Sequence, residues 1–316
     1  MVSLDATVAI VARDEGEHIV GAIRSVTAQG RGVQVLVVDD HSTDATVQLA
    51  LASGAVVVSN RGRGIVDARN TALAVVDTEV LVWLDADDRL LPGSLDAVLA
   101  AFAHRCIDLV VGSPRFVDVD GTVIAHQPTP PDAARCRIVA MAFNPFSQSA
   151  VAVRRGAVLA VGGYRAGSET DAAEDYDLWA RLLRSGVEMV GLAQPTVTMA
   201  IRPTSLTVRS AAPQSRRAAA IRRELRKDSD GDLASSRTLG RLCRELPFSW
   251  RTPTPLDTFA LGLLRLAVQL TRTFDLGPAC RVLCGAALGG PARVAWSASR
   301  AAAGFRRRRR ARGWAR

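Results

Sequence analysis

The stretch Val35-Leu36-Val37-Val38-Asp39-Asp40-His41-Ser42-Thr43-Asp44 carries an apolar run into two adjacent carboxylates and then into helix-capping residues. Residues 33–38 read as one apolar run, the mark of a strand buried on both faces. Ser42, Thr43 and Asp44 suit the start of a helix carrying Val47 and Leu51. Upstream, residues 8–11 form a short β-branched run, and Ile19, Ile23 and Val26 recur at the spacing of one helix face. Downstream, residues 56–58 predict a third strand, residues 66–76 a helix and residues 80–84 a fourth strand. Repeated strand–helix units predict an α/β fold with a mostly parallel sheet flanked by helices. Sites in such sheets form at the carboxyl ends of strands, where this sequence puts its acids.

Beyond Phe102 the pattern changes. Residues 109–112 and 116–119 read as two strands, with a hairpin turn at Asp120-Gly121 before a strand over residues 122–125. A proline-marked loop precedes a helix over residues 133–142, a strand over 149–153, a turn at Gly162-Gly163 and a helix over 175–184. After Pro203 the composition turns Arg- and Ala-rich, predicting two or three helices, one over residues 256–271, and then a disordered basic end.

Composition narrows the classes. The 316 residues, 48% hydrophobic, suit one large α/β unit with an appendage, or two domains. Five cysteines without a paired C-x-x-C pattern give neither a disulfide framework nor a zinc site, and reduced thiols fit the cytoplasm. The start lacks the pattern of a secretion signal, and no apolar stretch reaches the length of a membrane span. Of the net charge of +9, Arg306 to Arg310, Arg312 and Arg316 contribute +7, leaving a nearly neutral body and a cationic tail. That tail suits an anionic membrane surface, non-specific nucleic acid or plain solvent. Specific nucleic-acid recognition is not expected, because the body is neutral and few aromatics stand near the tail.

Three acidic clusters carry the chemistry. Asp39-Asp40 can accept hydrogen bonds from a base or ribose, or bind a cation. Asp85-Ala86-Asp87-Asp88 follows a second apolar strand, and carboxylates two apart in such a turn suit a hard divalent ion. Glu174-Asp175 opens a helix in which Leu178, Trp179 and Leu182 continue the Asp175 face, aiming that carboxylate inward as a general base. Acids at helix starts and in polar turns also serve structure alone, by opposing the helix dipole.

Two rivals share part of this pattern. A receiver domain also pairs Asp39-Asp40 with a later strand-end Asp85, but it would begin with that first strand and needs a lysine after the second. Lys227 is the only lysine. A dinucleotide-binding dehydrogenase needs G-x-G-x-x-G between the first strand and helix, where Val11-Ala12-Arg13-Asp14-Glu15-Gly16 stands. Arg61-Gly62-Arg63-Gly64 reads only as a basic loop.

Taken in order, four segments of the first half closely resemble glycosyltransferase family 2, the large inverting family with the GT-A fold. They are Val8 to Glu15, Val37 to Asp44, Gly64-Ile65-Val66-Asp67-Ala68-Arg69-Asn70 and Leu84 to Asp88. The second half adds Asn144-Pro145-Phe146, Val153-Arg154-Arg155, Gly162-Gly163-Tyr164-Arg165 and Glu174 to Trp179, so the likeness spans roughly residues 6–210.

The resemblance implies a Rossmann-like nucleotide half over residues 1–110 and an acceptor half over 111–210 carrying the base. A helical, membrane-associating extension over 211–304 and a disordered tail over 305–316 would follow. It also implies roles. Val11, Arg13, Asp39 and Asp40 would line the nucleoside pocket, and Arg69 would lie over the nucleotide. Asp87, with Asp85, would hold Mn2+ or Mg2+; Asp175 would be the catalytic base and Glu174 would shape the acceptor site beside it.

The implied donor is a UDP-, GDP- or dTDP-sugar, and the implied acceptor a hydroxyl such as that of a lipid-linked glycan in polysaccharide or cell-envelope synthesis. The setting would be cytoplasmic, peripheral to the membrane. Members often carry a His where this chain has Arg202, which cannot coordinate a metal and so bears on metal dependence. The Q-x-x-R-W of processive members is absent, which implies single additions. A non-catalytic nucleotide-sugar-binding module on the same fold is the alternative.

Overall fold

The computed structural model describes residues 6–117, 120–127, 129–141, 144–165, 173–200 and 211–227. The expected alternation opens the chain: β1 (Ala6–Ala12), α1 (Ile19–Thr27), β2 (Gln34–Asp39), α2 (Thr46–Ala52), β3 (Val56–Ser59), α3 (Ile65–Val75) and β4 (Val80–Asp85). Next come β5 (Arg89–Leu90), α4 (Ser94–Phe102), β6 (Leu109–Val117), β7 (Val123–His126) and α5 (Ala133–Ala140). A 3-10 turn (Gln148–Ala150) leads into β8 (Val151–Arg154), α6 (Arg155–Ala160), α7 (Glu174–Ser185), β9 (Met189–Ala200) and α8 (Ala211–Lys227). Residues up to Thr122 and from His126 to Asp228 make one compact unit.

Eight strands lie in the order β3-β2-β1-β4-β8-β6-β9-β5. The first four strands are parallel. Beyond them the sheet is mixed: β8 runs antiparallel to β4 and β6, β9 parallel to β6, and β5 antiparallel to β9. Both faces of β1 are covered, which is why it reads as a continuous apolar run. Val8, Ile10 and Ala12 pack with Ile19, Ile23 and Val26 of α1 and Leu95, Val98 and Phe102 of α4. Trp83 of β4 meets Tyr164 edge-on at 5.7 Å, and Tyr164 meets Trp179 of α7 at 6.5 Å.

Several local expectations are corrected. The two strands expected over 109–112 and 116–119 are one strand, β6, with register irregularities around Ser113 and Pro114. Proline cannot donate to a ladder, so the sequence signal breaks where the strand only bulges. The strand expected over 149–153 begins as a 3-10 turn. Gln34, inside the run read as apolar, is exposed. Helix α2 buries Thr46 and Ala50 and leaves Leu51 55% exposed. Its rotation is set by Thr46, whose hydroxyl accepts the Glu15 amide at 2.8 Å and bonds to Asp44. On α7, Leu178, Trp179 and Leu182 are buried as their spacing predicts, and Tyr176, Ala180 and Leu183 are buried too, so α7 is an interior helix.

Among the described residues no helix is long and apolar enough to cross a membrane. The helix expected over 256–271, Cys243, Cys280, Cys284, Arg202 and the basic tail over 305–316 lie outside the described residues.

Candidate active site

Parallel register brings the first two acidic clusters to one rim. Ala12 stands opposite Asp39, and Val11 opposite Asp85. With about 4.8 Å between neighbouring strands, the ends of β2 and β4 flank β1 within a sugar nucleotide's reach. Asp40 is buried there and holds the start of α3. Its carboxylate accepts the Gly64 amide at 2.9 and 3.0 Å and the Asn60 side-chain amide at 2.7 Å. The Arg13 guanidinium stands 3.8 Å away on an exposed side chain.

Gly64 precedes α3 with φ 86° and ψ 173°, a region that only glycine occupies at low cost. Gly64→Ala should therefore lose about 1–3 kcal/mol of stability, read by urea denaturation. The loop that read as merely basic is built around Asp40.

The loops after β1 and β2 are laced together. Asp14 and His41 sit at positive φ, 53° and 61°, at the two strand ends. Asp14 accepts the Thr43 amide at 2.7 Å, and the Asp14 amide donates to Ser42 at 3.0 Å. Asp44 accepts the Gly16 amide at 2.9 Å. Bonds from Thr46 first and then from Gly16 hold the Asp44 carboxyl below its ordinary range. Asp39 accepts the Ser42 amide at 3.3 Å. These bonds fix the backbone that carries Val11, Arg13 and Asp40.

In the turn after β4, Asp85 and Asp87 are half-buried and Asp88 is buried. The Ser149 hydroxyl accepts the Asp85 amide at 2.9 Å and donates to Asp88 at 2.5 Å. Burial first, then the charges of Asp85 and Asp87, push the Asp88 carboxyl well above its ordinary value. Asp85 is also raised, by burial, with Arg69 pulling it back and Asp87 adding to it. Mutually repelling carboxylates on one turn are the donor chemistry that a hard divalent cation relieves, so the residues fit such an ion. Among the described residues no three His, Cys, Asp or Glu side chains close on one point. The protein would supply Asp85 and Asp87 and leave the other positions to phosphate oxygens and water.

Arg69 joins the third cluster to the second. Only 6% exposed, it pairs with Glu174 at 2.6 Å, reaches Asp85 at 3.9 Å, and lies 5.3 Å from the centre of the Tyr164 ring. Glu174 is thus turned toward Arg69. Asp175 follows it at the start of α7 and accepts the Asn144 side-chain amide at 3.0 Å and the Tyr176 amide at 2.7 Å. Burial first, then Glu174, raises Asp175 to about 6, against the pull of Arg69, Tyr176 and Asn144. A carboxylate tuned to that value is suited to taking a proton near neutral pH.

Asn60, Asn144, Tyr164, Gln148 and Ser149 did not stand among the predicted site residues. The last two buttress the rest: Gln148 donates to the Tyr164 hydroxyl at 2.8 Å, and Ser149 braces the Asp85 turn. Their partners lie far away in sequence, so spacing gave no sign of them.

Residues 7–167 match Glycosyl transferase family 2. The succinoglycan biosynthesis protein ExoU of Rhizobium meliloti is 30% identical over 207 residues, 58% of this chain and 58% of that protein. ExoO of the same organism is 32% identical over 122 residues, 37% of this chain and 35% of ExoO. The chain thus spans less than two thirds of the length of the curated relatives it matches. Among solved structures, Staphylococcus aureus TarS with UDP-GlcNAc aligns with TM-score 0.59 and 17% identity, over 85% of this chain and 79% of that one. The mannosyltransferase PcManGT of Pyrobaculum calidifontis, with GDP-Man and Mn2+, aligns at 0.55 and 18%, over 94% and 86%. These likenesses agree with the GT-A fold expected from the sequence.

Proposed function

The chain belongs to glycosyl transferase family 2, and from that premise we propose that it moves a sugar from a nucleoside-diphosphate donor to a glycan hydroxyl by one in-line, inverting displacement. The observation that carries this reading is Asp175, a half-buried carboxylate raised to about 6 on the interior helix that Arg69 ties to the Asp85 turn. Asp175 would take the acceptor hydroxyl's proton as the nucleotide departs. Asp40 and Arg13 would orient the nucleoside at the β1–β2 rim. Asp87 and Asp85 would hold a divalent ion, whose chemistry when bound is to neutralise charge on the diphosphate.

Relatives named for succinoglycan biosynthesis favour an acceptor in polysaccharide synthesis, and structures with UDP-GlcNAc and with GDP-Man and Mn2+ favour a nucleotide-sugar donor and a divalent ion. The reading extends to a peripheral place on an anionic membrane through the cationic tail.

The deciding experiment is a panel of UDP-, GDP- and dTDP-sugars scored by nucleoside-diphosphate release, with and without Mn2+ or Mg2+. Turnover of one donor class supports the assignment; release from none of them with any acceptor glycan overturns it. Asp87→Ala should lose stimulation by Mn2+ and bind nucleoside diphosphate with Mn2+ some 10–100-fold more weakly, read by calorimetry.

A further inference from the structure

One short segment touches both the turn after β4 and the acids that open α7. Asn144 donates to Asp175, Gln148 to the hydroxyl of Tyr164, which stacks on Arg69, and Ser149 to Asp88 while accepting the Asp85 amide. We propose that residues 144–149 are the positioning element of this enzyme: Asn144 aims the general base, and Ser149 sets the turn that carries the metal-binding carboxylates. The inference rests on the transferase reading above and adds residues to it that act through others.

The geometry leaves little freedom. The Asn144 carbonyl oxygen accepts the Phe146 amide at 3.3 Å, so its nitrogen is the end that faces Asp175. Phe146 is 3% exposed and packs on Trp179 at 6.0 Å, which pins the segment to the helix carrying the base. Ser149 is 2% exposed, and its hydroxyl spends its proton on Asp88 and a lone pair on the Asp85 amide. That hydroxyl therefore fixes both ends of the turn holding Asp85 and Asp87. Gln148, between them, anchors the 3-10 turn to Tyr164 and through it to Arg69. A shift of this segment would move base and turn together; single side-chain deletions should separate them.

The groups facing Asp175 are Glu174 on its own helix, Arg69 from α3, Tyr164 from the loop after α6 and the Asn144 amide. Beside the Tyr176 backbone amide, Asn144 is the neutral side-chain donor to Asp175, so its loss removes a bond that favours the ionised base without changing net charge. In Asn144→Ala, the Asp175 carboxyl followed by 13C NMR and the acid limb of kcat/KM should both move up by about one pH unit, with Mn2+ affinity unchanged.

In Ser149→Ala, Mn2+ affinity read by calorimetry with nucleoside diphosphate should fall about tenfold while the acid limb stays in place. Asp88→Asn should reproduce that fall, and it stands in if Ser149→Ala does not fold. An unmoved Asp175 titration in Asn144→Ala, or wild-type Mn2+ affinity in Ser149→Ala and Asp88→Asn, overturns the positioning role. Those outcomes leave the base assignment standing, whereas full activity in Asp175→Asn sinks the base assignment whatever the segment does.

Discussion

Asp175→Asn should lower kcat by about 10²–10⁴-fold while leaving donor affinity near wild type, because it removes proton acceptance and keeps the side chain's shape. The pH profile carries the sharper test. Burial and Glu174 raise the Asp175 carboxyl from 3.8 to about 6, so in the wild type kcat/KM should climb as pH rises through about 6 and level above it. An unperturbed carboxylate would put that limb near 4. The variant should lose the limb together with the rate.

Stability should move the other way. A carboxyl whose folded value is raised disfavours the fold in its ionised form, so the penalty grows between 3.8 and about 6 and is complete above. Asn carries no such penalty, and the variant's Tm at pH 7.5 should equal or exceed that of the wild type. A variant both inactive and less stable would point to a structural acid. Nucleoside-diphosphate release and a melting curve on the same preparation decide between them.

The part of this design written locally in the chain was the part readable in advance. Strands β1, β2 and β4 announce themselves because burial on both faces demands unbroken apolar runs, and each of their ends presents its acid in the next one or two residues. Strand β9 was not foreseen. It carries Gly191, Gln194 and Pro195 and is buried in patches, so neither alternation nor an apolar run marks it. Helix α2 shows the same limit at smaller scale: the sequence favours Val47 and Leu51, but the Glu15 amide of a distant loop, donating to the Thr46 hydroxyl, turns Thr46 inward.

In the site, the acids were visible and their partners were not. Asn144 meets Asp175 across 31 positions, Ser149 meets Asp88 across 61, and Arg69 meets Glu174 across 105. Such pairings are products of sheet order, which places β8 beside β4 and so brings the turn before β8 under the Asp85 turn. Glu174 illustrates the consequence. Its position beside the base suggested the acceptor site, while the fold turns it to a buried guanidinium.

That guanidinium supports the second large effect. Arg69→Met would leave Glu174, 7% exposed, without its counter-charge, and stability should fall by about 3–5 kcal/mol. The contact with the Tyr164 ring goes with it. Removing the other partner as well, in Arg69→Met/Glu174→Leu, should restore most of the loss, since a buried pair replaced by apolar side chains of similar volume is often neutral. Activity should not return with stability. At Asp85 the pull of Arg69 outweighs the push of Glu174, so in the double variant that carboxyl lies higher and the turn after β4 lacks its neighbouring cation. At Asp175 the order is reversed, Glu174 pushing up more than Arg69 pulls down, so the acid limb of the double variant should lie at or below that of the wild type even where its urea midpoint matches. Recovery of stability and activity together would mean that Arg69 serves the fold alone.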